Sequence, residues 1–177
     1  MTVTPASEPT TPAPEASAAV TPIPDGYHSV TPWIIGHDTA GLMDFLAAAF
    51  DAEDLGGRMV DEQGRIGHAE MRIGDSIVMM FDKPDWPPTP AFLRLYVPDI
   101  HQTLKNAVAA GATVVTEPTH LFWGDLVARL HDPFGNLYWL QSRIELVDET
   151  EINRRFADPK FTEAMTYVTS SIFKPKV

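Results

Sequence analysis

A chain of 177 residues, 44% of them hydrophobic, is long enough for one well-buried domain or for two small ones sharing a core. Its formal charge of −11 argues against nucleic acid or an anionic membrane as a partner, because both demand a basic face. With no cysteine there is no disulfide framework, no thiolate nucleophile and no Cys-based metal site.

Residues 1–25 are rich in Pro, Thr, Ala and Ser and offer little to bury, so a disordered tail of partly polyproline character is expected there. The tail lacks the basic start and apolar stretch of a secretory signal. No apolar run approaches the roughly 20 residues of a membrane span. The expected location is the cytoplasm.

An ordered domain is expected over 26–147. SVTPWII (29–35) reads as a strand, and Asp38 is placed to cap a helix carrying Leu42, Phe45, Leu46 and Ala49 at helical spacing. Strands are expected at 55–61, in the alternating IGHAEMRI (66–73) and in SIVMMFD (76–82), with turns at Gly64-Arg65 and Gly74-Asp75. The prolines of 84–90 supply no donors and fix φ, which makes that segment a linker between module one (27–83) and module two (91–143).

Module two repeats the order. AFLRLYV (91–97) reads as a strand, Asp99 and Gln102 have the spacing of a capping box, the helix carries Leu104, Val108 and Ala109, and Gly111 ends it. Strands are expected at 112–117, 126–131 and 136–142. The last is entered through the turn Asp132-Pro133-Phe134-Gly135. Amphipathic segments at about 148–157 and 160–171 predict a C-terminal helical extension over 148–177 that covers an edge or a partner.

Strand parity gathers Thr31, Trp33, His68, Glu70, Ile77, Met79, Phe81, Phe92, Arg94, Tyr96, Leu137, Trp139 and Gln141 on one set of faces. Apolar walls with sparse polar groups are the composition of a small-molecule pocket. An ordinary core would bury Glu70, Arg94 and His68 at several kcal/mol each without partners, which favours a cleft. Trp86, in the Pro-rich linker, and Trp123, in the loop Phe122-Trp123-Gly124-Asp125, are placed to cover such a cleft, to anchor their loops or to make a dimer contact. His37, His101, His120 and His131 read as cap, helix-surface and turn residues.

The phrases TPWIIG, AAAFDAE, GRIGHAEMRIGDSIVMMFD, AVAAGATVV, FWGD and HDPFGN, set in two βαβββ modules, resemble the vicinal oxygen chelate superfamily: glyoxalase I, bleomycin-resistance proteins and extradiol dioxygenases. The wording is similar to the PhnB-like branch. The resemblance covers about 27–157 and implies an α+β fold, with the modules forming a curled mixed sheet around one concave cavity, commonly in a homodimer. It also implies, for the enzymes, a divalent metal on four His or Glu side chains from the first and last strand of each module. Those positions fall near Thr31, Met79, Phe92 and Trp139, none a ligand for such an ion.

No cofactor is therefore expected. A metal at His28, His68 and Glu70 requires their directions to converge. Three functions remain open: a metal-free protein binding an aromatic or drug-like molecule, as bleomycin-resistance relatives do; a lyase or isomerase using Glu70 or His68 as general base with Arg94 at an oxyanion; and a ligand-free regulatory dimer. No Gly-rich loop of the S-adenosylmethionine type follows a strand.

Overall fold

The computed structural model describes residues 21–170 apart from Pro88. Most of the expected tail, 1–20, lies outside the described residues. The first unit runs β1 (Trp33–Gly36), α1 (Thr39–Phe50), β2 (Glu53–Asp54), β3 (Met59–Val60), β4 (Ile66–Ile73), β5 (Ser76–Asp82). The second runs β6 (Phe92–Tyr96), α2 (Ile100–Ala109), β7 (Thr113–His120), β8 (Asp125–His131), β9 (Leu137–Arg143). Two helices follow, α3 (Glu149–Phe156) and α4 (Pro159–Ser170). The α+β class is that expected; the second unit has the expected βαβββ order, and the first has four strands after its helix, two of them two residues long.

The modules keep separate sheets. One is ordered β1-β5-β4-β2 with β3 also on β4; the other is ordered β6-β9-β8-β7. In each, the first strand runs parallel to the last, β1 beside β5 and β6 beside β9, and the other pairings are antiparallel. In each module the helix carries the chain from the first strand, at one edge of the sheet, to a strand at the other edge, and the strands that follow return to pair beside the first, with the helix on one face.

That face builds the core. α1 buries Leu42, Met43, Phe45, Leu46 and Ala49, and α2 buries Ile100, Leu104 and Ala107. They meet Ile34, Ala69, Met71, Val78 and Met80 of the first sheet and Ala128, Leu130, Tyr138 and Leu140 of the second. Both modules thus share one core, and each sheet keeps a distal face turned away from α1 and α2. Val108, expected on the inner side of α2, is 47% exposed, because Ala107 takes the inward position.

Carboxylates fix the joints. Asp38 accepts from the Gly41 N–H at the start of α1 (2.9 Å). Asp82 accepts from the Thr39 N–H (2.7 Å) and the Ile66 N–H (2.8 Å), tying the end of β5 to α1 and β4. Asp99 caps α2 through the N–H groups of His101 and Gln102, but the Gln102 side chain turns along the helix to Asn106, so half of the expected capping box forms. In the HDPFGN turn, Asp132 accepts from the N–H groups of Phe134 and Asn136, the Asn136 amide and the Tyr138 hydroxyl. Burial raises the Asp132 carboxyl above its ordinary range and raises the Tyr138 phenol well above its own. Asn136 in turn accepts from the Ala91 N–H (2.8 Å), which sets where β6 begins.

Three expected strands are corrected. The one at 29–35 starts at Trp33 and leaves Thr31 outside: Pro32 has no N–H, so pairing begins at its carbonyl, which accepts from Met79 (2.9 Å). Of the strand at 55–61 only β3 forms, and β2 falls ahead of it at Glu53–Asp54, because Gly56 and Gly57 sit at φ of 78° and 69° and turn the chain between them. The strand at 112–117 runs on to His120 through Pro118, which an edge strand with two register shifts tolerates. Among the described residues, no helix is long and apolar enough to cross a membrane.

Candidate functional site

The distal face of the first sheet carries one row of Trp33, Met79 and Glu70, paired across β1, β5 and β4. Period-two alternation places His68 and Arg72 on the same face of β4 and Phe81 on that of β5. The rings form a connected wall. Trp33 meets Phe81 edge-on at 5.3 Å and His68 at 5.8 Å, and Trp86, from the segment after β5, meets Phe81 at 6.0 Å. Trp33 is 45% exposed and Trp86 47%, so the wall is open.

Glu70 is the polar centre of this wall. One carboxylate oxygen lies 2.9 Å from His68 Nε2, and the other accepts from the Tyr27 hydroxyl. That bond is the largest cause of a raised Tyr27 phenol pKa, since the carboxylate favours the protonated phenol. His28 is exposed, and among the described residues no group of three or more His, Asp or Glu side chains gathers as a metal requires. Arg94 lies over the Trp139 ring of the second sheet at 5.9 Å.

The distal face of the second sheet carries Phe92, Arg94 and Tyr96 opposite Leu137, Trp139 and Gln141. Trp139 stacks on Phe92 at 6.3 Å and receives the Arg129 guanidinium at 5.7 Å as well as Arg94. A cleft of about 320 Å³ opens among Phe92, Arg94 and Trp139. Phe92 and Tyr96 are exposed.

The rest of this face is covered by α4. Val168 packs with Leu121 and Val127, and Trp123, Trp139, Ala164 and Met165 close around them. Arg129 donates to the Val168 carbonyl (2.7 Å), and the Glu117 N–H donates to the Tyr167 hydroxyl (3.0 Å). Trp123 is therefore an anchor in this cluster. Gln141, expected to line a cavity, is 1% exposed and donates to the buried Asp125 (2.9 Å): its parity is right, but its outlet is closed. Trp139 Nε1, Gln141 Oε1 and Thr116 Oγ1 are buried without hydrogen-bond partners.

Of the positions that the superfamily resemblance assigns to a metal, Met79 stands opposite Trp33 and Trp139 opposite Arg94, while Thr31 lies before β1 and Phe92 at the start of β6. Hydroxyl, thioether, phenyl and indole do not fit a divalent ion that takes imidazole and carboxylate. Tyr27 and Arg129 were not anticipated. Tyr27 meets Glu70 across 43 positions of sequence, which no local pattern encodes.

Residues 26–140 match the model of the Glyoxalase/Bleomycin resistance protein/Dioxygenase superfamily. An uncharacterized protein of Mycobacterium bovis is 34% identical over 131 residues, covering 67% of this chain and 86% of its own; one of Mycobacterium tuberculosis is 34% identical over 131 residues, covering 67% and 76%. Among solved structures, TioX from Micromonospora sp. ML1 has a TM-score of 0.56 at 22% identity, over 64% of this chain and 97% of that one. A fosfomycin resistance protein, FosX, from Listeria monocytogenes has a TM-score of 0.51 at 13% identity, over 69% and 94%. These structural likenesses describe the fold.

Proposed function

Because the chain belongs to the Glyoxalase/Bleomycin resistance protein/Dioxygenase superfamily, we propose that it is a metal-free small-molecule-binding protein that holds an aromatic or drug-like ligand on the distal face of its first sheet. The observation that carries this reading is the open wall of Trp33, Phe81 and Trp86 around Glu70. Exposed rings in mutual contact bind planar molecules by area and stacking, while a single carboxylate orients them. The second-sheet cleft at Phe92, Arg94 and Trp139 extends the same surface chemistry, and Met79 adds an adaptable wall. The donor set at the four inherited positions supports a site that works without a metal.

We further propose a homodimer. Exposed Val30, Met59, Val60, Leu146 and Phe156 supply apolar surface for a second copy, whereas Phe161 is 6% exposed against its own chain.

One observation favours a second reading, a lyase or isomerase: His68 and Glu70 form an oriented pair at 2.9 Å, the geometry of a positioned general base. Titration with planar aromatic compounds followed by tryptophan fluorescence tests the first reading. Trp33→Ala is expected to weaken binding by about 1–3 kcal/mol, the scale of one lost stacking and burial contact, with the fold retained. Turnover of a bound compound, lost in Glu70→Gln, favours the second.

A further inference from the structure

Glu70 lacks a permanent positive partner. Three carboxylates of the first module have one: Asp54 holds Arg58 at 2.7 Å, Asp61 holds Arg65 at 2.7 Å, and Glu53 holds Arg72 at 3.2 Å. Arg72 is the telling case. It stands two residues from Glu70 on the same face of β4, yet it is turned to Glu53 on β2. Glu70 is left with a phenol and an imidazole, the second charged only when protonated.

The surroundings make this costly. The Glu70 side chain is 18% exposed, and its neighbours along the row are the thioether of Met79 and the indole of Trp33. A carboxylate in such a place is stabilised by a cation more than by dipoles. Ring faces attract cations as well, Trp most strongly. Trp33, Phe81 and Trp86 stand on this wall. The whole-chain charge of −11 draws cations towards it.

We infer that the ligand of this face carries a positive group, a protonated amine, amidine or quaternary ammonium, joined to a planar apolar body. Its charge sits against Glu70 and its body against Trp33, Phe81 and Trp86. Tyr27 holds the ligand's place: its hydroxyl occupies one Glu70 oxygen and withdraws when a cation arrives. This rests on the proposed binding function and adds the ligand's charge.

The test uses the full-length protein and two probes of matched shape, N-methylacridinium, which is permanently charged, and uncharged acridine, titrated calorimetrically at pH 7.5. N-methylacridinium is expected to bind about tenfold more tightly, the size of one cation–π and carboxylate contact. Glu70→Gln, which keeps volume and removes charge, is expected to erase that preference and leave acridine within about twofold. Tyr27→Phe is expected to leave the N-methylacridinium affinity equal or raised. Equal binding of the two probes, or equal weakening of both in Glu70→Gln, would overturn the charge assignment and leave the binding function standing. Weaker N-methylacridinium binding in Tyr27→Phe would show that the phenol positions Glu70, and would overturn its placeholder role. If neither probe binds the native protein, the binding function falls and this inference with it.

Discussion

Arg94 stands in the second module where Trp33 stands in the first: each faces the last strand of its own sheet, Arg94 opposite Trp139 and Trp33 opposite Met79. The two modules share the backbone register of these paired positions, and their side chains lie outside the imidazole and carboxylate set that zinc and the harder divalent ions take. The untagged protein is accordingly expected to purify without stoichiometric metal. Plasma emission finding about one zinc, nickel or iron per chain, lost in His68→Ala, would contradict this.

Trp139 is held on several sides, by Phe92, by two guanidinium groups and by the cluster beneath α4. Trp139→Ala is expected to cost about 3 kcal/mol of folding stability, the low end for truncating a large aromatic, because part of the ring faces the open cleft. Chemical denaturation measures it. A loss below about 1 kcal/mol would show that the ring contributes little to the fold.

What could be read from the sequence was periodic. β4 and β5 are alternating runs, and both were located to the residue; β1 and β2 were misplaced because Pro32 and Gly56-Gly57 override the apolar pattern around them. Parity put Gln141 on the correct face, but not Asp125, which meets it from the neighbouring strand and closes it in. The amphipathic pattern of α4 showed that it buries a face without showing which surface receives it. Tyr27 on Glu70 is a contact of tertiary folding alone.

Helix α4 is attached to the second sheet through a small apolar cluster, the ring contact of Phe161 with His120 (5.6 Å) and hydrogen bonds from Arg129 and Glu117, over polar atoms left unpartnered. Val168→Asp places an unpaired charge at a fully buried position, at a cost of about 3–5 kcal/mol. That cost should appear as local opening: amide hydrogen exchange is expected to accelerate in 159–170 while β4 and β5 keep their protection. Uniform acceleration across both sheets would show that α4 belongs to the global folding unit.

Acid should loosen the same region from the other side. Hydrogen bonds from Arg154 and Arg155 lower the Glu151 carboxyl from 4.5 to about 2, and Arg155 also lowers Glu145. A depressed folded-state pKa gives stabilisation that is complete above the unfolded value and is lost as pH falls through the folded one. The melting temperature of Glu151→Gln should therefore lie below that of the native protein at pH 6, and the difference should close as the pH approaches 2. A difference that persists undiminished in acid would contradict the ion-pair account.

Light scattering at micromolar concentration is expected to give about twice the 19.5 kDa chain mass. A mass near one chain would count against the proposed dimer.

The central claim is that a planar aromatic molecule seats on the distal face of the first sheet, and the four tryptophans supply reporters on both sheets. Two-dimensional ¹H–¹⁵N spectra resolve one indole N–H signal per tryptophan. On titration with N-methylacridinium or acridine, the Trp33 and Trp86 signals are expected to shift together and saturably, while Trp123, packed beneath α4, stays in place. Saturable shifts confined to Trp123, or a titration that leaves Trp33 and Trp86 unmoved, would contradict it.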